Sequence, residues 1–303
     1  MTGRARIGII GAGLMGHGIA QVFAAAGHEV AITDPVAAAR ESARAKVARN
    51  LADMGLDPAA AERVSPRDDV AAAVADADVV IEAAPEKMEL KQALFAEIEA
   101  AAPAHAILAS NTSVMPITQI MSRLRDKSRA LGTHWWNPPY LVPLVEVVRT
   151  ADTSDAAVTR MIDLLTAVGK TAVDVKKDVP GFVGNRLQHA LWREAISIVE
   201  QGICDARTVD AVVKASFGRR LAVLGPLENA DMVGTDLTLA IHEQVLPYIE
   251  NRAGPSPLLE SMVAEGRLGF KSGEGFRTWT AEEQDALRAA VMTHLLRLNQ
   301  TLK

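Results

Sequence analysis

His134 and Glu146 are the residues of this chain best placed to do chemistry. The histidine stands in Gly132-Thr133-His134-Trp135-Trp136-Asn137-Pro138-Pro139, and the glutamate follows twelve residues later in Pro143-Leu144-Val145-Glu146-Val147-Val148. A histidine at one strand end and a carboxylate on the next strand can meet across a cleft. The carboxylate would align one ring nitrogen, leave the other free to take a proton, and stabilise the imidazolium that results. Such a base suits oxidation of an alcohol by hydride transfer, which also needs a hydride acceptor held against the carbon and donors that fix the oxygen. Ser113 in Ser110-Asn111-Thr112-Ser113, Asn137 and Asn185, all polar and at predicted element edges, are the candidate donors.

The hydride acceptor is announced near the start of the chain. Gly11-Ala12-Gly13-Leu14-Met15-Gly16 follows the apolar run Arg6-Ile7-Gly8-Ile9-Ile10 and opens a helix. Three glycines at this spacing are a weak signal alone; strand before and helix after supply the required context. Gly11 makes the tight turn, Gly13 lets the backbone approach a pyrophosphate, and Gly16 allows close packing of the helix on the sheet. Leu14 and Met15 complete this cofactor-binding set. Asp34 lies 23 residues after Gly11 at a second strand end, where a carboxylate accepts hydrogen bonds from an adenosine ribose and repels a 2′-phosphate. The cofactor expected is therefore NAD rather than NADP.

The elements that must position these residues alternate. Strands are predicted over Arg6–Ile10, Glu29–Asp34, Asp78–Ala83, Ala106–Asn111, Arg129–His134, Leu144–Arg149 and Thr171–Lys176, with helical segments between most of them. This pattern implies an α/β class: an N-terminal Rossmann-type, doubly wound, mostly parallel sheet. Beyond Asp178-Val179-Pro180-Gly181-Phe182 the strand candidates stop and helical periodicity takes over. The expected division is an NAD-binding domain over 1–183 and an all-helical C-terminal domain over 184–303. Asp78-Val79-Val80-Ile81-Glu82-Ala83-Ala84-Pro85-Glu86 sends carboxylates to the carboxyl edge of the sheet, with Lys91 five residues after Glu86.

Composition excludes several classes. A net charge of -5 leaves no basic footprint for nucleic acid, and no apolar run approaches a membrane span. The single cysteine, Cys204, and the lack of a leader pattern fit a cytoplasmic protein, and no residues are assigned to a metal.

Along nearly its whole length the chain resembles the L-3-hydroxyacyl-CoA dehydrogenase family. The likeness is carried by Gly11 to Gly16, Ser110 to Ser113, the His134 to Glu146 segment, Pro180-Gly181-Phe182-Val183-Gly184-Asn185-Arg186, and Lys271-Ser272-Gly273-Glu274-Gly275-Phe276. The resemblance implies that His134 is the base, Glu146 its partner, and Ser113, Asn137 and Asn185 the polar groups around the reacting oxygen. It also implies that Glu86, Lys91 and Asn111 lie beside the cofactor and that the helical domain forms a homodimer. Departures point away from a CoA ester. Leu51 to Ala61 lacks Lys and Arg where the CoA branch is lysine-rich, Trp135 and Trp136 replace two phenylalanines, and Gly218-Arg219-Arg220-Leu221-Ala222-Val223-Leu224-Gly225-Pro226 is similar to relatives that oxidise small free acids. A guanidinium such as that of Arg220 can clamp a carboxylate, which a thioester lacks. The expected reaction oxidises a 3-hydroxy group to a 3-keto group on a small free hydroxy acid or a 3-hydroxyacyl-CoA; a non-catalytic NAD-binding protein of the crystallin or sensor kind is the alternative.

Overall fold

The computed structural model describes residues 4–301 of the chain. In order, the first part holds β1 (Arg6–Ile10), α1 (Leu14–Ala25), β2 (Glu29–Thr33), α2 (Ala37–Asp53), β3 (Val64–Pro66), α3 (Val70–Val74), β4 (Val79–Glu82), α4 (Met88–Ala101) and β5 (Ile107–Ser110). Then come α5 (Ile117–Ile120), β6 (Ala130–Trp135), β7 (Leu144–Val148), α6 (Asp155–Ala167) and β8 (Thr171–Val175).

The strands form one sheet in the order β3-β2-β1-β4-β5-β6-β7-β8. Neighbouring pairs run parallel except β6 and β7, which are antiparallel. The central strands are apolar on both faces because both faces are covered. Ile7 and Ile9 of β1 enter one core with Ile19 and Phe23 of α1, whereas Ile10 enters the other with Val80, Phe95 of α4 and Ile117 of α5. The order reverses direction at β1, between β2 and β4, and the crevice beyond the carboxyl ends at such a point is where ligands bind. β3 is the one strand without an apolar run to announce it. It pairs only with β2, and an edge position tolerates Pro66.

Helices follow: α7 (Gly184–Glu200), α8 (Ala206–Ala215), α9 (Pro226–Val233), α10 (Thr235–Val245), α11 (Pro257–Ala264) and α12 (Ala281–Thr301). Their starts are marked locally. Asp205 and Ser256 cap α8 and α11 through the amides of Thr208 and Leu259, and Pro226 occupies the first turn of α9. The chain divides into two compact units, the first running through Asn185 and including the end of α12 from Thr293, the second spanning Arg186–Met292. Within the first unit Asn299 of α12 donates to Leu141 O at 2.8 Å.

Candidate active site

The turn between β1 and α1 is shaped for a dinucleotide. Gly11 has φ of 103°, and a Cβ there would lie 2.6 Å from Ala83 O, while one on Gly16 would lie 1.7 Å from Gly11 O. Any larger residue at either place would lift the turn off the sheet. At Gly13 a Cβ would meet nothing within 4 Å, so open space lies at the uncapped N-terminus of α1, whose first residue Leu14 is exposed and next, Met15, half-buried. Free amides and the positive end of a helix there suit a pyrophosphate. Asp34 braces the same turn, its Oδ2 accepting from Ala12 N and its Oδ1 from Val36 N, each at 2.8 Å. Its remaining lone pairs can accept ribose hydroxyls. The buried His17 pins the turn further through Nδ1 and Gly13 O at 2.6 Å; burial lowers its pKa, an effect partly offset by that bond and reinforced by Lys46. These residues fit NAD.

At the carboxyl edge, Glu82 ends β4 with its side chain fully buried. Its Oε1 accepts from Lys91 Nζ at 2.7 Å and from Ala84 N at 2.6 Å, and its Oε2 accepts from Ser110 Oγ at 2.7 Å. Lys91 is equally buried and also donates to Ala84 O at 3.1 Å, with Glu86 farther off at 3.5 Å. The expected Glu86–Lys91 pair is thus a triad in which Glu82 is the nearer carboxylate. Glu82 is among the carboxylates expected at this edge but has no assigned role there, yet one signal marks it: a glutamate ending Val79-Val80-Ile81 can be buried only with a cation beside it. Glu86 in turn accepts from Thr112 Oγ1 at 2.9 Å and Ser113 N at 2.7 Å, and Asn111 Oδ1 accepts from Trp135 N at 3.0 Å. The segment after β5 is therefore tied to β4 on one side and β6 on the other.

His134 and Glu146 are directly opposite each other in the β6–β7 register, which puts both side chains on one face. His134 Nδ1 lies 2.7 Å from Glu146 Oε2, and both side chains are buried. The second carboxylate oxygen, Oε1, accepts from Val183 N at 2.9 Å and Gly184 N at 3.0 Å, where α7 begins. Burial alone would raise the Glu146 pKa. Hydrogen bonds from His134, Gly184 and Val183, with the attraction of His134, outweigh burial and hold the carboxyl below its usual range. A carboxylate that already accepts two amides has only acceptor capacity for the imidazole, so Nδ1 is the donor, and in the neutral ring Nε2 keeps a lone pair. Among the described residues Nε2 has no hydrogen-bond partner.

The start of α7 gathers other candidates. Asn185 Nδ2 donates to Ser113 O at 2.8 Å, linking two residues that lie 72 apart in sequence. A Cβ on Gly184 would sit 2.5 Å from Trp136 Cζ2 and 3.3 Å from Glu146 Oε2, so glycine alone leaves room for both. Phe182, buried and at φ 49°, packs its ring on the imidazole at 5.7 Å between centroids, and Trp136 packs on it at 5.2 Å. A bulky residue in the left-handed region costs about 1–3 kcal/mol. Asn137, just past β6, is exposed and makes no side-chain hydrogen bond among the described residues. Lys170 fastens the β6–β7 loop through Pro139 O at 2.5 Å and Val142 O at 3.0 Å, and burial pushes its pKa down to about 8. Arg220 belongs to the second unit, exposed just after a single 3-10 turn over Phe217–Arg219, with no side-chain partner among the described residues. Among those residues no three His, Cys, Asp or Glu side chains gather as metal ligands, and no helix is long and apolar enough to cross a membrane.

A doubly wound sheet whose first turn opens to a pyrophosphate and whose second strand leads into a bracing acid marks a dinucleotide-binding protein. Comparison with known proteins narrows the class. Residues 6–179 match the NAD binding domain of 3-hydroxyacyl-CoA dehydrogenase and residues 181–279 match its C-terminal domain. The chain belongs to the 3-hydroxyacyl-CoA dehydrogenase family and is an NAD-dependent oxidoreductase acting on CH–OH groups. It is 36% identical over 302 residues to 5-formyl-3-hydroxy-2-methylpyridine 4-carboxylate 5-dehydrogenase of Mesorhizobium japonicum, covering 98% of both chains. A solved structure of a 5-dehydrogenase of that name, described as an NAD+-dependent dismutase, superposes with a TM-score of 0.92 at 35% identity over 99% of each chain. The structure of (S)-3-hydroxybutyryl-CoA dehydrogenase from Ralstonia eutropha gives a TM-score of 0.76 at 33% identity, over 92% of this chain and 100% of that one.

Proposed function

We propose that this protein oxidises the hydroxyl group of a small free hydroxy acid to the ketone, with His134 as general base and Glu146 as its partner. The observation that carries the reading is the buried 2.7 Å bond between His134 Nδ1 and Glu146 Oε2, which in the neutral ring turns the other nitrogen into a proton acceptor. Nε2 takes the hydroxyl proton as the C–H bond breaks, and Glu146 offsets the positive charge on the ring. Bound NAD supplies the two-electron hydride acceptor. Ser113, Asn137 and Asn185 surround the reacting oxygen and fix its direction toward the base. Gly11, Gly13, Leu14, Met15, Gly16 and Asp34 hold the pyrophosphate and ribose, and Glu86, Lys91 and Asn111 stand at the nicotinamide end. In this division residues 1–183 bind NAD while residues 184–303 meet the substrate and the second subunit.

A free acid is favoured over the CoA ester by full-length similarity to a pyridine-carboxylate dehydrogenase, by the missing lysines between Leu51 and Ala61, and by Arg220 as a carboxylate anchor. Homodimer formation is supported by the apolar surface of the helical unit, where Val223, Leu227 and Tyr248 are each more than three-quarters exposed. A cytoplasmic location fits the lone Cys204. The test is a steady-state assay of NADH formation with 3-hydroxybutyryl-CoA beside a panel of free hydroxy acids. Turnover restricted to free acids, and a Michaelis constant for them raised at least about tenfold by Arg220→Ala with little change in kcat, is the expected result. Preference for the CoA ester would defeat the free-acid reading, and NADH from no alcohol would defeat the catalytic one.

A further inference from the structure

Phe182 breaks a local rule. Gly181 before it has φ of 75°, which glycine adopts freely, but Phe182 itself is held at φ 49°, where glycine or asparagine would sit at less cost. The turn is fastened by Phe182 N donating to Val179 O at 3.1 Å. Its consequences converge on one place. The ring, almost wholly enclosed, lies on the imidazole of His134 at 5.7 Å and 52°, and Trp136 lies on the same imidazole at 5.2 Å and 50°. The next two amides, Val183 N and Gly184 N, both end on Glu146 Oε1, and the following side chain, Asn185, reaches Ser113 O.

We infer that Phe182 is a positioning residue: its left-handed turn aims two amides at Glu146 while its ring and that of Trp136 confine the imidazole, fixing His134 Nδ1 on the carboxylate. The inference rests on the proposed role of His134 and adds what keeps that histidine in place. Without the Phe182 ring, the hydrogen bond to Glu146 is the main restraint left on one side of the imidazole, and the ring can tilt about Cβ–Cγ. An enclosed imidazole also gains from aromatic faces when it becomes cationic, since ring quadrupoles attract positive charge. A backbone strain kept at a bulky residue is accounted for when that residue's side chain does something glycine cannot.

The test uses the full chain as Phe182→Leu, which keeps apolar volume but removes the aromatic face, and Phe182→Gly, which relieves the backbone but removes the ring. The first readout is the Nδ1–H resonance of His134 in ¹⁵N-histidine-labelled protein, assigned by its loss in His134→Gln. The expected result is a protected Nδ1–H in the wild type, exchanging at least about tenfold faster in both variants. The second is a fall in kcat of roughly 10- to 100-fold with the Michaelis constant for NAD unchanged, as misplacement of a base without damage to the cofactor site requires. Variants that bind NAD, keep the protected resonance and turn over like the wild type would overturn the inference. If Phe182→Gly does not fold, Phe182→Leu alone decides, because a merely space-filling role predicts that leucine preserves the resonance. A wild type that makes no NADH from any alcohol would remove the proposed function, and the resonance would still answer the question about Phe182.

Discussion

The two units of this protein handle apolar surface in opposite ways. The first closes two cores of its own, one on each face of the sheet, with residues such as Ile9, Ile32, Phe95 and Leu108 excluded from water. In the second, among the described residues, only Ser197, Met262 and Gly275 are buried, while Val223 and Tyr248 are each 84% exposed. A doubly wound sheet satisfies itself, since every helix has a strand face to cover. Helices whose apolar positions face outward leave surface that a partner can cover, and in the proposed homodimer a second copy would cover it. The contrast teaches that the side chains held at fixed distances, His134 and Glu146 among them, sit on the self-sufficient unit, whereas the helical unit leaves much of its apolar surface uncovered.

The contrast can be broken most sharply at the base. His134→Gln should lower kcat by about 10²–10⁴-fold, while NAD still binds with wild-type affinity in a fluorescence titration, because the glycine turn is built by other residues of the same unit. Activity near that of the wild type would remove His134 from its role. Next in size is Lys91→Met, which leaves Glu82 buried without its cation. We expect a loss of about 3–5 kcal/mol in urea unfolding of the first unit, and a loss below 1 kcal/mol would show the triad to be dispensable.

In the helical unit the expected response is assembly rather than unfolding. The double substitution Val223→Asp with Leu227→Asp should convert two associated chains to one in sedimentation and leave NAD binding intact. A wild type that already sediments as a single chain would refute the proposed dimer. The smallest effect is in the pH dependence. Glu146 has a depressed folded pKa, so its contribution to stability is fully present above the ordinary carboxylate value and is lost as pH falls through the folded value. Thermal melts of Glu146→Gln should therefore show a flatter acid limb than the wild type. Lys170, at about 8, gives a slope of the same sign in an alkaline window: between there and the ordinary lysine value the unfolded chain binds more protons, so stability rises with pH. Lys170→Met should abolish that rise.

Much of the first unit was legible because its signals are local. The apolar runs of β1, β4 and β5 and the turn Gly11 to Gly16 report their conformation through residue type alone. β3 was not legible, since three residues ending in Pro66 carry no period, and neighbouring β2 recruits them. At the site, residue types nominated His134, Glu146, Ser113 and Asn185, but Glu82 and Phe182 escaped. One is a charge hidden by a partner nine residues on, and the other is a ring whose backbone angle no propensity favours.

What the sequence by itself determined is the inventory and the local geometry: which strands are apolar on both sides, where glycine permits the phosphate turn, and which side chains can titrate or accept a proton. Only the tertiary structure decided that β7 returns antiparallel to β6, and with it that His134 faces Glu146 rather than a residue one place away. Strand register depends on how distant segments share a core, and a shift of one residue sends every side chain to the other face, so no local preference can encode the pairing.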